Sequence, residues 1–301
     1  MHSLPQPVRG VLNPSVPILG EPAHHSVRED RSIARLALRA LHQELSAYPK
    51  PGLVSPVDSG SHDDMDATTL FRSLLSLRRY FMKISLAGMR SAPFTDLKDL
   101  GIAAEARMLQ TTGGINTHRG GIFNLGLLAA AAGAMQAGSY GLQGEALGLY
   151  VRLTWGEAIR RHGAALPKTS HGGQVVLRHG VGGVIEEAAQ GFPHLFGTGL
   201  PVLQASLAAG ASLHDATVHC LFALIEVLPD SNLLYRGGIT GLEFAQRSAR
   251  SFLEAGGVHR CGWQTDAIQI HRQFVARRLS PGGSADLLAA TLFVHWLQAA
   301  A

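Results

Sequence analysis

Apolar residues recur along this chain at intervals of three and four. Ile33, Leu36, Ala37, Ala40, Leu41 and Leu45 trace one face of a helix over 31–48. Leu70, Leu74, Leu77, Phe81 and Ile84 repeat the spacing and predict a core-facing helix, with Arg78 and Arg79 on its wet side. Further helices are predicted over 96–111, 122–136 and 145–162, and in a stretch ending at the Gly191-Phe192-Pro193 stop. Ser212-x-x-Asp215 opens an apolar helix carrying Val218, Leu221, Phe222 and Ile225. Thr240-x-x-Glu243 reads as a capping box whose helix ends at Gly256-Gly257. A helix over 263–278 follows, then Ser280-Pro281-Gly282-Gly283-Ser284-Ala285-Asp286 as turn and N-cap into a last helix over 287–298. No stretch alternates apolar and polar with turn dipeptides between, as strands do. The reading is all-α: a single compact multi-helix domain over 30–301, with catalytic loops at helix ends, behind a poorly ordered arm at 1–29.

Two loops interrupt this pattern with chemistry-bearing residues. The first, 49–66, is stiffened by Pro49, Pro51 and Pro56, loosened by Gly52 and Gly60, and ends in His62, Asp63, Asp64 and Asp66. Its carboxylates suit a hard cation such as Mg²⁺, and Lys50 at its mouth suits a phosphate. Ser61-x-x-Asp64 equally fits the capped start of a helix, and the two readings are compatible. The second loop, 111–121, holds Gly113, Gly114, Gly120 and Gly121 around Asn116, His118 and Arg119. It feeds a helix N-terminus, a place that favours anions, and Arg119 has the fork geometry for phosphate oxygens. It is not a Walker loop. Glu44 and Glu105 fall on or beside apolar helix faces, and a carboxylate aimed inward needs a partner or a task. Glu186 and Glu187 read as surface acids, and His214 and His219 as packing or surface histidines.

Composition narrows the function classes. Of 301 residues, 46% are hydrophobic and 16% charged, so much of the chain is buried. The net charge of +4 comes without a Lys/Arg run or basic–aromatic interleaving, which favours a small polyanion over nucleic acid. Cys220 and Cys261 form no CxxC pair, so a reducing cytoplasm is expected. The apolar run 122–135 is shorter than the about 20 residues a bilayer span needs, and no membrane association is expected.

The loops and the C-terminal segment together resemble the triphosphoribosyl-dephospho-coenzyme A synthase family. The resemblance is carried by Glu44, Pro49-Lys50-Pro51-Gly52-Leu53-Val54, Gly60-Ser61-His62 and Asp64-Met65-Asp66. It continues through Glu105, Met108, Thr112-Gly113, Asn116-Thr117-His118-Arg119-Gly120, Glu187-Ala188, Asp230-Ser231-Asn232, Arg236 and Ser280 to Ala289. It runs from about residue 35 to the C-terminus, with several motifs of six or more residues in the same order. Ser55-Pro56-Val57-Asp58 looks more like the malonate decarboxylase branch than the citrate lyase branch.

The resemblance implies a reaction between ATP and 3′-dephospho-coenzyme A. It gives 2′-(5″-triphosphoribosyl)-3′-dephospho-coenzyme A and adenine, the precursor of a prosthetic group that a separate transferase loads onto an acyl carrier protein. A triphosphate of about four negative charges needs Mg²⁺ and basic groups, the attacking hydroxyl needs a base, and the departing adenine needs a proton donor or hydrogen bonds. On that reading Asp64 and Asp66, with Asp58, would hold Mg²⁺. Lys50, Arg119, Asn116 and the amides of Gly113 and Gly114 would hold the triphosphate. Glu44 and Glu105, then His62 and His118, would supply the base or stabilise the cation. His171, Asp230 and Arg236 would meet dephospho-coenzyme A. A metal-dependent nucleotide or ADP-ribosyl hydrolase and a non-catalytic decarboxylase subunit are the alternatives, and an oligomer is compatible with either.

Overall fold

The computed structural model describes residues 29–165 and 182–300. The N-terminal arm, apart from Glu29, lies outside the described residues, as does His171 with its polar loop. Every regular element among the described residues is helical. The first five α-helices are α1 (Glu29–Ser46), α2 (Ala67–Ser76), α3 (Arg78–Met89), α4 (Phe94–Thr112) and α5 (Arg119–Ala137). Next come α6 (Ala146–Ala165), α7 (Gly183–Ala189), a π turn (Leu195–Gly199), α8 (Leu200–Ala208) and α9 (Leu213–Val227). The chain ends with α10 (Ser231–Glu254), a 3₁₀ turn (Gly257–His259), α11 (Trp263–Ala276) and α12 (Gly282–Ala299).

Helix α5 is the axis of the bundle. Its middle is Ala, Gly and Leu on all sides, and it is buried from Gly121 almost continuously to Met135. Small side chains let neighbouring backbones come close: Gly88 of α3 faces the Ala130 carbonyl and Gly133 faces the Ser85 carbonyl, with no room for a Cβ at either. By length and composition α5 could cross a bilayer, but 78% of that window is buried within the fold. Helices α3, α4, α6 and α12 pack on it, and α1 packs on α12. This arrangement collects the N-terminus of α5, the C-terminus of α1 and the start of α12 at one place.

Several boundaries differ from the sequence pattern, each for a local reason. The apolar stripe from Leu70 to Ile84 spans two helices, because the chain turns tightly at the fully buried Leu77 while the stripe continues across the break. The expected Ser61-x-x-Asp64 cap is replaced by Asp66, whose carboxylate accepts from the Thr69 amide and hydroxyl, each at 2.8 Å. Ser212 does cap α9, accepting from the Asp215 amide at 3.1 Å. Thr240 caps nothing: the chain is already helical from Ser231 and breaks only at Gly238 (φ 61°), and the Thr240 hydroxyl donates to the Gly237 carbonyl. Helix α12 starts at Gly282, so Asp286 belongs to its second turn and not to a cap.

A Gly88→Val substitution must push α3 off α5. It should destabilise the fold by about 1–3 kcal/mol, read as a lowered urea midpoint, whereas the same change at the open Gly141 should have little effect.

Candidate active site

The aspartate loop is fastened to the bundle through its backbone. Ser61 donates to the Leu279 carbonyl at 2.6 Å, the His271 ring lies 2.7 Å from the Lys50 carbonyl, and Arg236 donates to the carbonyls of Ser61 and Arg278. So fixed, Lys50 points inward and not to the mouth of the loop. It is 1% exposed, and its Nζ donates to both the carbonyl and Oε1 of Glu44 at 2.7 Å. Burial lowers the Lys50 pKa and the Glu44 charge opposes that shift. This enclosed ammonium is ion-paired to Glu44 and does not border the cavity described next.

Glu44 borders a cavity of about 1090 Å³ with Glu105, His62, His118, Asn116, Arg119, Asp230 and Arg236. The structure thus brings eight of the sequence-predicted residues to one space. Most are already committed to partners. Glu105 is ion-paired to Arg119, and Asn116 Oδ1 accepts from the Arg119 amide at 3.2 Å, capping α5. His62 uses both ring nitrogens, on Ser280 Oγ at 2.9 Å and on Arg236 at 3.3 Å. Burial and the Arg236 charge lower its pKa to about 4, so it is neutral near pH 7. Asp230 accepts from the Asn232 and Leu233 amides at the start of α10 and from the amide and hydroxyl of Ser284 in α12, clamping the two helices together. That carboxylate has little left for a ligand, and burial raises its pKa.

His118 is different. Its Nδ1 is 2.7 Å from Ser73 Oγ, which accepts from Thr117 Oγ1, while its buried Nε2 has no partner among the described residues. Burial and the nearby Lys50 charge lower its pKa to about 4.

The remaining sequence-predicted residues among the described ones do not border the cavity. Gly113 and Gly114 adopt positive φ, and both amides turn back to the Leu109 carbonyl to close α4. They are engaged in a helix C-cap and are not offered to an anion. Asp66 is the α2 cap. Asp58 accepts from the Gly60 amide at 2.9 Å and lies 3.2 Å from His271 Nε2. Asp64 is exposed. The structure does not gather these three acids, and among the described residues no group of three His, Cys, Asp or Glu could hold a metal ion. As they stand they do not fit a protein-held Mg²⁺.

Other residues border the same cavity without having been predicted. Lys98 comes from α4, Arg160 and His162 from α6, and Glu187 and His194 from α7 and the turn after it. Glu187 is not a surface acid: it accepts from the His194 amide at 2.9 Å and lies 2.7 Å from its Nδ1, which raises the His194 pKa. Asp286 of α12 also borders the cavity, tucked against Gly120, where a Cβ would overlap its carboxylate. Gly121, in the first turn of α5, lies beside the same carboxylate. Burial and the charges of Glu44 and Asp230 raise its pKa well above the carboxylate range. Its only sequence signal is its place in the Ser280-to-Ala289 motif.

Comparison with known proteins places this cavity in context. The family model for ATP:dephospho-CoA triphosphoribosyl transferase matches residues 30–301. A probable 2-(5″-triphosphoribosyl)-3′-dephosphocoenzyme-A synthase of Acinetobacter calcoaceticus is 39% identical over 272 residues, 90% of this chain and 91% of that protein. The Pseudomonas putida protein described in the same words is 39% identical over 267 residues, 87% of this chain and 93% of its own. No solved structure matches. The chain belongs to the ATP:dephospho-CoA triphosphoribosyl transferase family.

The neutral, buried His118 carries a pH signature. Its folded pKa of about 4 lies below the unfolded value near 6.5, so the unfolded chain binds the extra proton between them. Stability from this group is complete above pH 6.5 and is lost as pH falls through about 4, by up to about 3 kcal/mol. Urea titrations at pH 7 and pH 4.5 should show this loss in the native protein and a shallower one in His118→Gln; equal losses would exclude a neutral buried imidazole.

Proposed function

We propose that this protein is the enzyme that joins ATP to 3′-dephospho-coenzyme A, forming 2′-(5″-triphosphoribosyl)-3′-dephospho-coenzyme A and releasing adenine. One observation carries the reading beyond family membership: the cavity of about 1090 Å³ exceeds the space a single small ligand needs and is bordered by cations from several elements. Two nucleotides, one with a triphosphate and one with a diphosphate, call for such a space. A hydrolase would need room for one nucleotide and a water.

Arg119 is exposed to the cavity at the start of α5, and its guanidinium is assigned to the triphosphate, with Asn116 holding the helix end in place. Exchange of Glu105 for phosphate oxygens would leave the Glu105 carboxylate beside the ribose. Glu44, fixed by Lys50, is assigned as the base for the attacking hydroxyl. Arg236 is assigned to dephospho-coenzyme A, with Lys98 and Arg160 as added candidates for its phosphates. Mg²⁺ is assigned to the substrate's own phosphates and not to Asp58, Asp64 and Asp66. The loop sequence Ser55-Pro56-Val57-Asp58 supports service to the acyl carrier protein of malonate decarboxylase, with hand-off to a separate transferase in the cytoplasm.

Incubation with ATP and dephospho-coenzyme A, followed by mass spectrometry, should give the coupled adduct with one free adenine for each. Free ribose triphosphate without adduct would indicate hydrolysis instead. Arg119→Ala should raise the KM for ATP about ten-fold, equivalent to ~1.4 kcal/mol, and raise that for the acceptor less; equal effects on both would remove Arg119 from the triphosphate site.

A further inference from the structure

The cavity holds carboxyl groups in contrasting surroundings. Glu44 is bonded to Lys50 and Glu105 to Arg119. Asp230 is occupied by the amides of α10 and by Ser284. Asp286 has no cation within ion-pairing distance among the described residues. It is half-buried at the cavity edge, and desolvation together with the facing charges of Glu44 and Asp230 raises its pKa well above its ordinary value, which favours the protonated carboxyl. Carboxyls whose environments push their protonation apart are the usual source of paired acid and base.

The position of Asp286 is built by the chain around it. Gly120 leaves the gap its carboxylate fills, and Gly121 lies directly beside it. Beside it, past Gly121, the 4%-exposed His118 leaves its buried Nε2 without a partner among the described residues, an independent sign that a polar ligand completes this region.

Resting on the transfer reaction proposed above, we infer that Asp286 is the general acid of that reaction, delivering its proton to the departing purine. As the bond between the ribose anomeric carbon and the purine nitrogen breaks, its electron pair goes to the purine, which takes the Asp286 proton. The acceptor hydroxyl forms the new carbon–oxygen bond and gives its proton to Glu44. Proton return from Glu44 to Asp286 restores the site, so one proton leaves the hydroxyl and one arrives on adenine.

The test pairs a variant with a substrate that needs no acid. Asp286→Asn keeps the size and an acceptor oxygen but has no acidic proton. With ATP its kcat should fall at least 100-fold, with the KM for ATP changed less than three-fold. With N7-methyl ATP, whose purine already carries a positive charge and leaves unaided, native and variant rates should agree within about five-fold. Gly120→Ala, which keeps the carboxyl but displaces it, should show the same split. Loss of activity on both nucleotides, or retention of the ATP rate by Asp286→Asn, would overturn the acid role. A native protein that forms no adduct at all would instead overturn the transfer reading.

Discussion

The Lys50–Glu44 pair is the interaction on which the rest of the site depends. A buried ammonium is tolerated only with a close counter-charge and further hydrogen bonds, since the desolvation cost of a lone ion amounts to several kcal/mol. Here Glu44 supplies both through its carboxylate and its carbonyl. The pair ties the end of α1 to the aspartate loop, which is itself fastened at Ser61 and Arg236. It also sets the local field. Burial, helped by the same positive charge that steadies Glu44, lowers the His118 pKa, and the Glu44 charge in turn acts on Asp286.

Around that pair, rigid helix ends and not mobile loops supply the reactive groups. Glu44 ends α1, Arg119 begins α5, and Asp286 stands in the second turn of α12. They meet because α5 is small-sided enough to let α3 and its other neighbours come close along its length. The opposite walls, from α4, α6 and α7, bring Lys98, Arg160 and the Glu187–His194 pair to the same space. Family membership and a cavity bordered by cations from several helices are both consistent with a reaction between two phosphorylated partners.

The helical class was plain in the sequence because period-3.6 stripes survive in nearly every element. Their ends were harder to read. Leu77 is apolar and buried like its neighbours, so nothing in the pattern marks the turn there. The candidate residues were legible as types and motifs, and Glu44, Glu105, His118 and Arg119 do share one cavity. What pattern could not give was the partner of each. Lys50 looks equally like a phosphate contact and a counter-ion until its direction is known. Gly113 and Gly114 look like an anion cradle until their amides are seen closing α4. Asp286 was hidden by a boundary error: placed in a cap it faces solvent, and placed one turn into a helix it faces the substrate space.

The Asp230 clamp has a consequence beyond mechanical strength. The carboxylate that stitches α10 to α12 is also one of the negative neighbours that, with desolvation, raise the Asp286 pKa. Framework and reactivity therefore share an atom set, and selection cannot tune one without disturbing the other. Drift at position 230 would be filtered twice, once through folding yield and once through turnover, even though the residue never touches a reacting bond.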